Sequence, residues 1–137
     1  MREALKEASM AFEADEVPIG AVVVCREKII ARGHNLTERL NDVTAHAEML
    51  AYTSASEYLQ SKYLKDCTLY VTIEPCTMCA GAAYWTQITR IVFGAVDTKR
   101  GYQILQSSIL PPTTQVTKNV LADECAELMK KYFLGKR

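Results

Sequence analysis

Two short stretches of the sequence carry residues of the types and spacing that a catalytic zinc site requires. Residues 44–48 contain a histidine and a glutamate two positions apart, and residues 74–79 end in a Cys-x-x-Cys. Zinc favours imidazole and thiolate ligands, and a catalytic site uses three protein ligands so that a fourth position stays open for water. His46, Cys76 and Cys79 make up that number, so the sequence predicts a Zn²⁺ site held by these three side chains.

The spacing within the second stretch predicts how two of the ligands are presented. Cys76 and Cys79 are three residues apart, so both sulfurs leave one face of a helical turn if Pro75 occupies the first turn. The partial positive charge at a helix N-terminus favours thiolates there. Glu48 follows the histidine closely, and we expect it to lie beside the open position of the metal and to act as the catalytic proton carrier.

His-x-Glu followed by Pro-Cys-x-x-Cys is the signature of zinc-dependent nucleobase deaminases. The chain resembles the cytidine deaminase-like superfamily and, within it, the bacterial tRNA-specific adenosine deaminases. The likeness extends from about Met1 to the end of the chain and includes residues 17–22, 33–35, 44–48, 69–82, 90–95 and 121–126. The resemblance implies conversion of adenosine to inosine at the wobble position, with Zn²⁺ as cofactor and with a tRNA anticodon stem-loop and a second copy of the chain (a homodimer) as partners.

The resemblance also implies substrate-binding residues: Asn35 at the target nucleotide, Ile19 in the base pocket and Asp97 at the RNA next to the target. The backbone N–H of Ala47 is a further candidate for substrate binding. An amide side chain both donates and accepts hydrogen bonds, although a loop asparagine is by itself more typical of a turn. Core packing explains Ile19 equally well. The N–H of Ala47, at the start of a predicted helix, has no acceptor within that helix and is free to donate.

Further RNA contacts are expected in the basic second half of the chain. The sequence has 16 basic and 16 acidic residues, but seven basic and only three acidic residues stand from Lys99 onward. Such a region can bind phosphates locally, although an ordinary solvated surface has the same composition. In the resembled enzymes a loop and a final helix contact the anticodon, and the residues here at those places are Lys99, Arg100, Lys130, Lys131 and Phe133.

Two other functions are open to this sequence. One is a free-base or nucleoside deaminase acting on guanine or cytosine, since Tyr84-Trp85 resembles the guanine deaminases of the superfamily. The other is a module stabilised by a closed zinc site, with His34 or Cys67 as the fourth ligand and no chemistry. Glu48 has no role in a closed site, which favours an enzyme.

The length and composition indicate one α/β domain over residues 1–137. Nearly half of the residues, 49%, are hydrophobic, yet no run approaches the roughly 20 apolar residues that span a membrane. The acidic and basic start of the chain lacks the apolar region of a secretory signal. Five cysteines, an odd number that includes a Cys-x-x-Cys, favour reduced thiols and a metal. We therefore expect a cytoplasmic protein with no membrane contact.

The hydrophobic pattern predicts a three-layer α/β/α domain with a mixed five-stranded sheet, which is also the fold that the resemblance implies. Helices are predicted over residues 1–14, 44–57 with Thr44 as N-cap, 75–85 and 122–134, and strands over residues 19–25, 28–33, 68–74, 90–95 and 115–120. The first two strands are spaced as an antiparallel hairpin. The third and fourth strands flank a helix as in a βαβ unit, so the metal should lie at their carboxyl ends.

Overall fold

The computed structural model describes residues 1–105 and 107–136, and within these ranges the chain forms five strands and four α-helices. The strands are β1 Gly20–Cys25, β2 Lys28–His34, β3 Cys67–Ile73, β4 Arg90–Ala95 and β5 Gln115–Thr117. The helices are α1 Arg2–Glu13, α2 Ala47–Leu59, α3 Thr77–Thr86 and α4 Ala122–Leu134. Arg137, one of the basic residues counted above, lies outside the described residues. Within the described ranges, no helix has both the length and the apolarity to cross a bilayer.

The strands form one mixed sheet with the order β2-β1-β3-β4-β5. The strand β1 pairs antiparallel with both β2 and β3, whereas β3, β4 and β5 run parallel. The connection from β3 through α3 to β4 is therefore the predicted βαβ unit. It brings the carboxyl ends of β3 and β4 to one edge of the sheet, from which the second zinc-motif stretch emerges.

Helices cover both faces of the sheet. On one face α1 packs against β1, α4 packs against β4, and the two helices contact each other. On the other face α2 packs against β1 and β2 and contacts α3. Between this second pair of helices and the sheet lies the main core, which is built from fully buried strand residues such as Leu69, Ile91 and Phe93 and from helix alanines. This arrangement confirms the predicted three-layer fold.

Small residues allow the helices to lie close to the sheet, and Gly33 in β2 is the clearest case. A Cβ atom at Gly33 would stand 2.6 Å from the carbonyl oxygen of Ala47 and 3.0 Å from the amide nitrogen of Ala51. Since real Cβ atoms do not approach backbone atoms so closely, only glycine permits this packing. The contact sets the N-terminal turn of α2, which carries the histidine motif, directly against the sheet.

Three predicted boundaries were wrong. The helix α2 begins at Ala47 and not near Thr44, because Asp42 accepts hydrogen bonds from the backbone N–H and the hydroxyl of Thr44, at 2.8 and 2.7 Å, and holds it in a turn. Pro75 precedes the N-cap of α3 and is not part of its first turn. The edge strand β5 ends at residue 117, three residues earlier than predicted, because it pairs with β4 over only three residues.

Candidate metal centre

The candidate metal centre lies where two helices begin. His46 is the N-cap of α2, and Cys76 is the N-cap of α3. Cys79 is the third residue of α3 and is fully buried. Both helices thus direct the positive ends of their dipoles at the same point, which favours thiolates and other anions there. The sequence predicted this effect for α3 only.

The distances between the donor atoms match the requirements of zinc. Nδ1 of His46 lies 3.6 Å from Sγ of Cys76 and 3.5 Å from Sγ of Cys79, and all three ligand atoms lie within 4.8 Å of one another. A tetrahedral ion with Zn–N near 2.0 Å and Zn–S near 2.3 Å requires an N···S separation of about 3.5 Å. The donor set and its spacing therefore fit Zn²⁺ without movement of the backbone.

A hydrogen bond links the side chains of the two ligand cysteines. The pKa of Cys76 falls to about 4, chiefly because the thiol of Cys79 donates a hydrogen bond to its sulfur, and His46 adds a second contact. That hydrogen bond and burial raise the pKa of Cys79. The contact with Cys76 also raises the pKa of His46. A lowered pKa at Cys76 suits a thiolate ligand, and a bound cation would favour the thiolate form of Cys79 as well.

Glu48 stands beside the ligands but is not one of them. It lies in the first turn of α2, is only 4% exposed, and its side chain contacts Cys79 while staying outside the ligand group. Burial raises the pKa of its carboxyl group, because a charged carboxylate is disfavoured away from water. Tyr52, one helical turn further on, places its hydroxyl 3.5 Å from the backbone oxygen of Cys79 and so ties α2 to the cysteine turn. Sequence reasoning missed Tyr52, since its pattern is that of a core aromatic.

The arrangement does not supply the fourth ligand of a closed site. Among the described residues, the group of metal-ligating atoms contains His46, Cys76 and Cys79 alone. His34 instead contacts a carboxylate oxygen of Glu7 through Nδ1 at 3.0 Å. Cys67, at the start of β3, lies opposite Cys25 of β1, at the other end of the sheet. The geometry is that of a three-ligand site with an open position.

Three of the predicted substrate-binding residues come from segments next to this centre. Asn35 directly follows β2, is buried, and donates its backbone N–H to the carbonyl of Ile19 at 3.1 Å. Ile19 is partly buried and packs against the core, so its packing role is evident. Ala47 is the first residue of α2, and its N–H has no acceptor inside the helix. A contact between this N–H and the substrate stays a prediction.

The predicted loop after β4 is tied to the cysteine turn. Gly101 forms a bridge with Cys76, and the N–H of Tyr102 donates to the carbonyl of Pro75 at 2.9 Å. The carboxylate of Asp97 accepts the backbone N–H groups of Lys99 and Arg100, both at 3.0 Å, and so shapes the turn in which these two exposed side chains stand.

The predicted RNA-contact residues of α4 are exposed, and two of them lie close to the aromatic ring of another residue. Nζ of Lys131 stands 5.4 Å from the ring centroid of Phe12 in α1. Phe133 is half exposed and packs edge to face on Tyr132 at 5.1 Å. Lys130 points to solvent. Among the described residues, Lys130 has no ion-pair partner, Lys131 lies above a ring, and Phe133 presents an exposed ring.

Sequence reasoning missed the two buried carboxylates that hold loops next to the centre, Glu16 and Glu74. Each accepts two backbone N–H groups of a loop next to the centre: those of residues 38 and 39 for Glu16, and those of residues 97 and 103 for Glu74. The only signal in the sequence is an acidic residue beside a proline-containing apolar stretch, and that signal does not identify the partners.

The comparisons with known proteins agree with this geometry. Residues 1–95 match the family described as the cytidine and deoxycytidylate deaminase zinc-binding region. A tRNA-specific adenosine deaminase of Bacillus subtilis is 44% identical over 97% of this chain and 86% of its own length. A solved structure from studies of A-to-I editing by tRNA:A34 deaminases at the wobble position superposes with a TM-score of 0.85 and 44% identity, covering 93% of this chain and 96% of that chain. A guanine deaminase from Nitrosomonas europaea superposes with a TM-score of 0.80 at 26% identity, covering 94% and 80%. The three-ligand zinc centre, the fold and these relatives together establish that the chain belongs to the zinc-dependent cytidine and deoxycytidylate deaminase family, in its tRNA-specific adenosine deaminase branch.

Proposed function

We propose that the protein hydrolyses adenosine to inosine at the wobble position of a tRNA anticodon loop. The main observation behind the proposal is the position of Glu48. Its side chain is buried against a ligand cysteine, but it is not one of the three side chains whose donor atoms fit zinc. The relatives named as tRNA-specific adenosine deaminases, similar over nearly the whole chain, support the choice of substrate.

The chain's own residues account for the proton transfers of this reaction. Bound zinc, held by His46, Cys76 and Cys79, supplies a Lewis acid that makes water nucleophilic near neutral pH. Glu48 accepts a proton from the attacking water and delivers it to N1 of the purine as the C6–O bond forms. It then takes the proton of the new C6 hydroxyl group and passes it to the amino group. The C6–N bond breaks as the C6–O bond becomes the carbonyl of inosine, and ammonia leaves. Burial raises the pKa of the Glu48 carboxyl group, and a raised pKa makes the carboxylate a better proton acceptor in both steps.

The RNA is proposed to contact two surfaces. The Asp97 turn would hold the nucleotide next to the target through its backbone, with Lys99 and Arg100 near phosphates. The end of α4 would supply Lys130 and Lys131 for phosphates and Phe133 for stacking on an unpaired base, since loops are held in this way by many RNA-binding proteins. Because tRNA is a cytoplasmic substrate and the ligand thiols must stay reduced, we place the reaction in the cytoplasm.

The test is to measure inosine by mass spectrometry of nucleosides after incubation with a tRNA that has adenosine at the wobble position. The matched control is the same tRNA with guanosine there. Free guanine, cytosine and their nucleosides are incubated in parallel and assayed for ammonia. Inosine only in the adenosine tRNA supports the proposal. Ammonia from a free base with no inosine in tRNA would establish the alternative, a free-base deaminase.

The protein is also proposed to form a homodimer through the end of α3. Trp85 is 77% exposed and Tyr84 is 46% exposed, and their rings pack edge to face at 5.4 Å. Exposed aromatic pairs of this size are typical of interaction surfaces. Sedimentation at micromolar concentration should give twice the 15.3 kDa chain mass, and Trp85→Ser should weaken the association, whereas Phe133→Ser, which changes an exposed ring of α4, should not. A monomeric parent protein would rule out the dimer.

A further inference from the structure

Glu16 is a buried charged residue that the zinc centre does not explain. It lies between α1 and β1 and is 1% exposed. Its Oε1 accepts the backbone N–H of Glu38 at 3.0 Å, and its Oε2 accepts the backbone N–H of Arg39 at 2.8 Å. Because a backbone N–H can only donate, both oxygens of Glu16 act as acceptors.

The same carboxylate determines the orientation of the Asn35 amide. Nδ2 of Asn35 lies 3.4 Å from Oε1 of Glu16 and 3.3 Å from Oγ1 of Thr37. Since the carboxylate oxygen is an acceptor, the atom of Asn35 that faces it must be the nitrogen. An amide nitrogen carries two hydrogens, and these two contacts use both. Within residues 1–105 and 107–136, no donor bonds to the carbonyl oxygen Oδ1, so this atom is available to another partner.

We propose that Glu16 is a positioning residue that holds Asn35 with Oδ1 toward the substrate, so that Asn35 selects a hydrogen-bond donor. The identity of that donor depends on the proposed function, because it assumes that the substrate is an adenosine in RNA. Adenine ring nitrogens are acceptors only, and an adenosine within an RNA chain has two donors, the 6-amino group and the 2′-hydroxyl. The 6-amino group is at the reacting carbon. The donor that Asn35 accepts is therefore the 2′-hydroxyl of the target, which distinguishes RNA from DNA.

The orientation of the amide is tested first, without substrate. Hydrogen exchange of the Asn35 side-chain NH₂ is measured by ¹⁵N NMR in the zinc-loaded protein and in Glu16→Gln. A Gln side chain keeps the shape of Glu16 but replaces one acceptor by a donor. We expect exchange to be about 3- to 10-fold faster in the variant, as for loss of one ordinary hydrogen bond. Equal exchange in both proteins would overturn the positioning role.

The matched control for this measurement is Glu7→Gln. Glu7 is also buried, and its carboxylate bonds to a side chain, His34, but not to Asn35. Exchange of the Asn35 amide should be unchanged in this variant. If Glu16→Gln does not fold, as judged by zinc content and melting temperature, Thr37→Val takes its place, because it removes the other acceptor of Nδ2 and leaves the loop bonds of Glu16 intact. Unchanged exchange in Thr37→Val would then overturn the assignment.

The selectivity is tested with two anticodon stem-loops, one with adenosine and one with 2′-deoxyadenosine at the target position. In the parent protein kcat/KM should be about 10-fold higher for adenosine. Asn35→Ala and Glu16→Gln should each reduce this ratio, and the double variant should match Asn35→Ala, because both changes act on one contact. Glu7→Gln should keep the parental ratio.

The possible failures are distinct. If the parent protein deaminates neither stem-loop, the proposed function fails, while NMR still decides whether Glu16 holds the amide. If the parent deaminates both equally well, the 2′-hydroxyl assignment is wrong. If Glu16→Gln slows both substrates by one factor and leaves the ratio unchanged, Glu16 supports the loop only and does not position Asn35.

Discussion

Replacement of Glu74 should show how firmly the Asp97 turn is tied to the metal-binding segment. Glu74 is buried immediately before Pro75 and Cys76. Its Oε1 accepts the N–H of Asp97 at 3.1 Å, and its Oε2 accepts the N–H of Gln103 at 2.9 Å. One carboxylate thus holds both ends of the loop. Between these ends, Gly101 packs so closely against the carboxylate of Glu74 that a Cβ atom at Gly101 would collide with it.

The expected loss of stability in Glu74→Ala follows from the two hydrogen bonds. A hydrogen bond to a carboxylate contributes about 1.5 kcal/mol or more, so Glu74→Ala should lower the free energy of unfolding by about 3 kcal/mol. For a chain of this length that corresponds to a fall in Tm of roughly 10 °C. Glu74→Gln keeps one acceptor oxygen but places an NH₂ donor opposite the second backbone N–H. Its free energy of unfolding should therefore fall by about half as much as that of Glu74→Ala.

The assay is urea unfolding at saturating zinc, with the zinc content of each variant measured separately, because metal binding stabilises the folded state by mass action. Glu57→Ala, which removes an exposed carboxylate of α2, is the control and should change the free energy of unfolding by less than about 0.5 kcal/mol. A loss below about 1 kcal/mol in Glu74→Ala would refute the reasoning, since water would then replace both hydrogen bonds at little cost.

The remaining predictions concern the chemistry, the RNA surface and one buried thiol. Glu48→Gln should keep one zinc per chain by elemental analysis but deaminate at least about 100-fold more slowly, because it removes a proton carrier and not a ligand; loss of zinc would show that the residue is a ligand after all. The double variant Lys130→Ala, Lys131→Ala should bind tRNA more weakly, and the slope of log K against log salt concentration should become shallower by roughly one unit for each lost phosphate contact. The control Lys62→Ala, which changes an exposed lysine elsewhere, should leave this slope unchanged. Burial raises the pKa of Cys125 to about 11, so little thiolate exists at pH 8. Alkylation of Cys125 by iodoacetamide in the folded protein should therefore be slow at pH 8 and should become faster as the pH rises toward 11. Rapid labelling at pH 8 would contradict the burial of this thiol.

The sequence by itself predicted zinc and its three ligands, because that chemistry depends on residue type and on short spacing, and the structure brings the three donor atoms within 4.8 Å of one another. A histidine and two cysteines three residues apart favour zinc, and the local geometry of a helical turn brings the two sulfurs together. Periodicity likewise determined the order and type of the elements, since apolar stretches such as β1 and β4 have the length and β-branched composition of buried strands.

Boundaries depended on contacts that the local pattern does not contain. Thr44 has the residue type of an N-cap, but the carboxylate of Asp42 holds it in a turn, and α2 begins only after His46. The tertiary structure also decided which helix ends meet. The N-termini of α2 and α3 converge on one point because β1 and β3 are neighbours in the sheet, a pairing that no short window of sequence specifies.

The roles of Glu16 and Glu74 were decided by tertiary structure alone. Glu16 and Glu74 have the composition of ordinary surface residues, and what makes them buried acceptors is a set of backbone N–H groups 22 to 29 positions away along the chain. A carboxylate leaves water only where such donors replace its hydration. Whether they do depends on how the loops fold back over the sheet, which is why the zinc ligands were visible in the sequence and the residues that hold the surrounding loops were not.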